Sequence, residues 1–150
     1  MPKIDPVHLP IISQSGYLPA YKSAVAGRSW QAVGAAGGLH QFGANLVTLA
    51  PGAWSSQRHW HSAEDEMVVM LAGELVLVED AGETVMRPGD IATFPAGAAN
   101  GHHLQNRSSE PAQFLAIGTD RPADDECHYP DIDQYWSAAT GFVAKSAQPR

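Results

Sequence analysis

Short apolar runs recur through the middle of the chain, each closed by a glycine, a proline or a polar pair. They lie at 45–50 (NLVTLA), 67–72 (MVVMLA), 74–80 (ELVLVED), 91–96 (IATFPA), 102–106 (HHLQN) and 113–119 (QFLAIGT). Their length and close spacing predict β-strands of an all-β sandwich or barrel. The connections carry residues suited to tight turns: Gly73 in LAGEL, Gly82 in EDAGET and Pro88-Gly89 in RPGD. Residues 1–38 are rich in Pro, Gly and Ala and weakly patterned, and are expected to form an arm on the barrel or on a partner. The barrel is expected over 39–120. Residues 121–150 form a C-terminal extension with a short helical turn near 131–139 and a frayed end.

Composition narrows the function classes. The 150 residues suit one domain. Nine Lys+Arg against sixteen Asp+Glu give a net charge of −7. No basic stripe of the kind nucleic acid requires is visible. The acidic run at 124–126 (DDE) reads as solvated surface. A single cysteine, Cys127, forbids an intrachain disulfide. The N-terminal stretch MPKIDPVHLP lacks the apolar core of a secretory signal. No apolar run nears the roughly 18 residues of a membrane helix. A cytoplasmic protein is the expectation.

The chemistry concentrates in QRHWHSAEDE, 57–66. Strand side chains alternate with period two, which puts Gln57, His59 and His61 on one face and Arg58 and Trp60 on the other. Glu66, beyond the turn SAED, opens the next strand with Val68 and Met70 on its own face. Two imidazoles beside a carboxylate suit a divalent ion. A third imidazole must come from His102 or His103, which are adjacent and so point opposite ways. With His102 inward, Leu104 and Asn106 follow it; with His103 inward, Gln105 does. His8, His40 and His128 read as lone polar groups. Cys127, among acids that raise a thiol pKa, reads as structural. Trp54, Trp60 and Trp136 read as packing residues. Few basic residues alternate inward, which speaks against a phosphate pocket.

These residues carry a family resemblance. PGAWSSQRHWHSAEDEMVVMLAG resembles the first signature motif of the cupins, with Gly52, His59, His61, Glu66 and Gly73 in its fixed places. GDIATFPAGAANGHHLQN resembles the second, with Gly89, Pro95, Gly97, His102 and Asn106. Gly52 stands one residue further from His59 than the family pattern has it. Four residues, Ala98 to Gly101, separate Gly97 from the histidine where the family has two. The His–Asn interval favours His102 over His103.

The resemblance implies a double-stranded β-helix, or jelly-roll barrel. It implies one divalent metal, Fe, Mn, Ni or Zn, held by His59, His61, Glu66 and His102 with coordination positions left open. Gln57, Met70 and Asn106 are the candidate pocket residues. The implied function is an enzyme acting on a small polar metabolite: a sugar, a sugar phosphate, or a hydroxy or keto acid. The alternatives are a metal-dependent dioxygenase and a non-catalytic barrel that binds or senses a small ligand. The chain is most similar to stand-alone bacterial cupins provisionally described as sugar-phosphate isomerases, and the resemblance implies a homodimer.

Overall fold

A computed structural model describes residues 2–149. Twelve strands follow in chain order: β1 (Arg28–Gln31), β2 (Phe42–Leu49), β3 (Trp60–His61), β4 (Glu66–Ala72), β5 (Leu75–Glu79) and β6 (Gly82–Met86). Then come β7 (Ile91–Phe94), β8 (His103–Gln105), β9 (Ala112–Thr119), β10 (Glu126–His128), β11 (Tyr135–Ser137) and β12 (Gly141–Val143). All pairings are antiparallel. One sheet runs β1-β2-β9-β4-β7; the others run β12-β11-β10-β3 and β6-β5-β8. A bridge between His59 and His102 joins the last two into a second layer. The architecture is all-β, as the strand spacing predicts, and of the jelly-roll type that the resemblance implies.

Alternation builds the core. Val47 and Leu49 of β2, Val68 and Met70 of β4, Leu75 and Leu77 of β5, and Phe114 of β9 pack between the layers. A second cluster, Tyr17, Val25, Cys127 and Tyr129, closes the end where both termini return. Gly73 ends β4 at φ +75°, and a Cβ there would sit 2.8 Å from the Pro111 carbonyl oxygen. Only glycine meets both demands.

The tail departs from its expected form, and the arm adds a strand to the large sheet. The N-terminal arm supplies β1, whose Trp30 packs on the barrel core. The tail forms no helix at 131–139; Tyr135–Ser137 pairs with β10 and β12 instead. Bulky aromatics opposite β-branched and aromatic neighbours favour the pleated surface over a helical turn. No helix among the described residues is long and apolar enough to cross a membrane.

An ion cluster fastens the tail. Arg58, which alternates away from the histidines, holds Asp131 through Nε and Nη2, both at 2.8 Å. It also binds Asp80 and the Gly101 carbonyl. The hydrogen bonds from Arg58 hold the Asp131 carboxyl below its usual range, against the opposing effect of burial. A depressed carboxyl contributes stability above its unfolded value near 3.8 and loses it as pH falls through the lower folded value. Asp131→Asn should therefore melt below the wild type at neutral pH. The gap should close on acidification below about pH 4. Thermal melts across that range check both limbs.

Candidate metal centre

Three imidazoles and one carboxylate converge between the layers. β3, which carries His61, and the His59–His102 bridge just before it set the imidazoles of one layer, and Glu66, at the start of β4, faces them from the other. His59 Nε2 and His61 Nε2 lie 3.2 Å apart. Glu66 Oε1 stands 3.1 Å from His61 Nε2 and 3.8 Å from His59 Nε2. Its other oxygen, Oε2, is 2.6 Å from His102 Nε2. The donor atoms of His59, His61 and Glu66 all lie within 4.8 Å of one another.

The far side of each ring fixes which nitrogen faces the cluster. His59 Nδ1 is 2.9 Å from the Gln57 carbonyl, His102 Nδ1 is 2.9 Å from the Asn100 carbonyl, and His61 Nδ1 is 2.6 Å from Asp125 Oδ2. An oxygen that can only accept takes the N–H at Nδ1, so Nε2 is the nitrogen that each ring turns towards the cluster, and a cation there would take its lone pair in place of the proton now shared with Glu66. Metal-ligating histidines are oriented in the same manner. Phe94 stacks on His102 at 3.5 Å between ring centroids and fixes the ring plane.

The charges also suit a cation. Burial pushes the Glu66 carboxyl up, but hydrogen bonds with His102, His59 and His61 outweigh it and hold the group well below the usual range. Burial opposes a charge on His61, yet Cys127 and Glu66 together push its pKa up to about 12. The acids around His61 draw in positive charge. With three imidazole Nε2 atoms facing one carboxylate, the donor set fits a divalent ion and has no thiolate cage.

His103 is turned to other work. Its Nδ1 meets the Ser56 carbonyl at 2.9 Å, and the Gln105 amide donates to Nε2 at 2.9 Å. Both nitrogens are spent, and Trp54 packs edge-on against the ring. His102 is the histidine that joins the cluster.

The structure moves three expected pocket residues elsewhere. Gln57 precedes β3 in an irregular segment, so strict alternation fails there, and its side chain donates to the Tyr21 carbonyl. Met70 shares a face with Glu66 but sits deeper, in the apolar core. Asn106 is 1% exposed and ties a loop: Nδ2 donates to the Leu49 and Glu110 carbonyls, while Oδ1 accepts from Ser108. Asn106→Ala would remove a donor from the buried Leu49 carbonyl and leave the Glu110 carbonyl to the Ser108 hydroxyl. We expect a loss of about 2 kcal/mol in denaturant unfolding, with the metal content of the folded protein unchanged.

Two residues escaped sequence reasoning. Asp125 was expected on a solvated surface, yet it is 3% exposed; Oδ2 buttresses His61 while Oδ1 accepts from Ala63 N–H. Its parity with Cys127, which pairs with His61 across β3 and β10, was the available signal. Cys127 Sγ lies 3.4 Å from His61 Nδ1, and burial pushes its pKa up, which keeps the thiol protonated. Outside this face, Trp60 stacks on its cross-strand partner His128. The second residue is Arg28, in the wall of the cavity onto which the cluster opens. That cavity measures about 830 Å³, within the range of small-molecule sites.

A jelly roll with an inward-facing cluster of imidazoles and a carboxylate belongs to the class of small barrels that gather potential metal ligands between their layers. This chain is a member of the cupin superfamily. Residues 45–118 match the family described as Cupin domain. A crystal structure from Silicibacter pomeroyi, named a sugar phosphate isomerase from a cupin superfamily, is 45% identical. It superposes with a TM-score of 0.91 over 99% of this chain and 96% of its own. An Acidithiobacillus ferrooxidans protein, provisionally named a sugar phosphate isomerase, is 28% identical with a TM-score of 0.72, covering 82% of this chain and 80% of its own. A polyketide cyclase of Streptomyces resistomycificus, 16% identical with a TM-score of 0.64 over 81% of this chain and 80% of its own, shares the fold. No curated protein matches the sequence.

Proposed function

We propose that this cupin is a metal-dependent enzyme acting on a small polar metabolite, with His59, His61, Glu66 and His102 as the metal ligands. The observation that carries the reading is the convergence of three Nε2 atoms on Glu66, each ring locked from behind by an acceptor. A bound divalent ion would supply Lewis-acid polarisation of a carbonyl or hydroxyl oxygen. The chain's own residues provide the rest. Glu66, held ionised, serves as a ligand and leaves proton transfer to other groups. Val68, Leu77 and Phe114 in the cavity wall exclude water and lower the local dielectric. The named activity of the Silicibacter pomeroyi relative supports isomerisation of a hydroxy-carbonyl compound as the reaction type. A cytoplasmic homodimer is the form we propose for it.

The test is turnover. Protein reconstituted separately with Fe(II), Mn(II), Ni(II) and Zn(II) is assayed against sugar phosphates, free sugars and hydroxy or keto acids. Turnover with one metal, absent in the His59→Ala/His61→Ala variant, supports the reading. Silence with every metal, beside saturable binding of a panel compound, replaces it with a non-catalytic binding barrel.

A further inference from the structure

Among the described residues Arg28 stands apart from the other arginines. Arg58, Arg87, Arg107 and Arg121 each hold a carboxylate within 4.0 Å. Arg28 holds none. Its Nη1 donates to the Ser55 carbonyl at 2.9 Å, and its guanidinium lies 4.9 Å from the centre of the Trp30 ring. Its Nε is buried and has no hydrogen-bond partner. A buried, uncompensated charge is costly, and proteins normally pair it. Here the position is set by β1, where Arg28 and Trp30 share one face and Trp30 packs on the core.

The place of this cation gives it meaning. Arg28 lines the same cavity as His59, His61, Glu66 and His102. A wall of phenols runs between them. The Tyr129 ring lies 5.6 Å from the His59 ring, Tyr17 lies 5.8 Å from Tyr129, and the Tyr17 hydroxyl neighbours Arg28. Phenols add hydrogen bonding without negative charge, so the guanidinium keeps its full attraction for an anion. Planar guanidinium groups take phosphate or carboxylate oxygens in pairs.

We propose that Arg28 is the anion anchor of the cavity, seating the phosphate or carboxylate of a small metabolite whose other end reaches the imidazole cluster. The second half of that statement rests on the metal-enzyme reading above; the anchor itself does not. It also supplies one basic group to an interior expected to hold few.

The test uses inorganic phosphate and malonate, titrated calorimetrically into chelator-treated protein so that no anion on a metal contributes. One saturable site is expected in the wild type. Arg28→Gln should weaken it at least about 10-fold, whereas Arg107→Gln, which breaks an exposed pair with Glu83, should leave it unchanged. Tighter phosphate binding assigns a phosphate monoester as the ligand class, and tighter malonate binding a carboxylate. Should Arg28→Gln fail to fold by circular dichroism, Arg28→Lys carries the test, because it keeps the charge and loses the fork. Its affinity should fall at least about 3-fold. Wild-type affinity in the folded Arg28 variant, or no saturable site in the wild type, overturns the proposal. Metal content measured before chelation separates the two readings. Metal without an anion site sinks only the anchor, and an Arg28-dependent anion site in protein that takes up no metal sinks only the enzyme.

Discussion

Purified without chelator or metal-affinity tag, the wild-type protein should carry about one equivalent of a divalent ion, and His59→Ala/His61→Ala should carry none. The two substitutions remove two of the three inward Nε2 atoms and leave Glu66 with His102 alone. Two ligands on facing layers cannot retain an ion against water and buffer. Elemental analysis of both proteins reads the outcome directly, and circular dichroism shows that the fold survives. Equal metal in both would remove the ligand assignment. The ion's identity then directs the assays: iron towards oxygen chemistry, zinc or manganese towards isomerase, lyase or hydrolytic chemistry.

The second large effect concerns a residue outside the matched family segment. Asp125→Ala should weaken metal binding up to about 100-fold, and Asp125→Asn about 10-fold, as expected when a ligating imidazole loses its buttress. The asparagine can still accept from His61 Nδ1 through its amide oxygen but brings no charge. The alanine leaves both that nitrogen and the Ala63 N–H without the partner they now have. Competition titrations against a chromogenic chelator give the ratios. If both variants bind as the wild type does, His61 is positioned by the strand pairing with Cys127 alone.

The barrel strands were legible because their apolar runs alternate and end in turn residues. The predicted run 113–119 and the observed Ala112–Thr119 differ by a single residue. His59, His61 and Glu66 were legible as a group because their spacing joins a strand to the next across one turn. What escaped was of two kinds. Strands of three or four residues in the arm and tail carry too few alternations to register a period, so Arg28 stayed in an arm read as weakly patterned, and Asp125, just before β10, in a run read as solvated surface. Gln57, Met70 and Asn106 were misplaced because alternation assigns a face without assigning depth. It also fails where the backbone is irregular, as before β3. The choice between His102 and His103 needed the actual hydrogen-bond partners of each ring.

The reach of Asp125 to His61 also has a consequence in time. The two residues are 64 positions apart in the chain. At about 5–20 residues per second, synthesis makes the buttress roughly 3–13 s after the imidazole it supports. Within that interval the chain gains His102 and then β9, the strand that pairs with both β2 and β4, while His61 still lacks the acceptor that fixes its tautomer and the β10 strand it pairs with. Under the metal-enzyme proposal, tight loading would therefore await the docking of β10, and the tail would complete the centre.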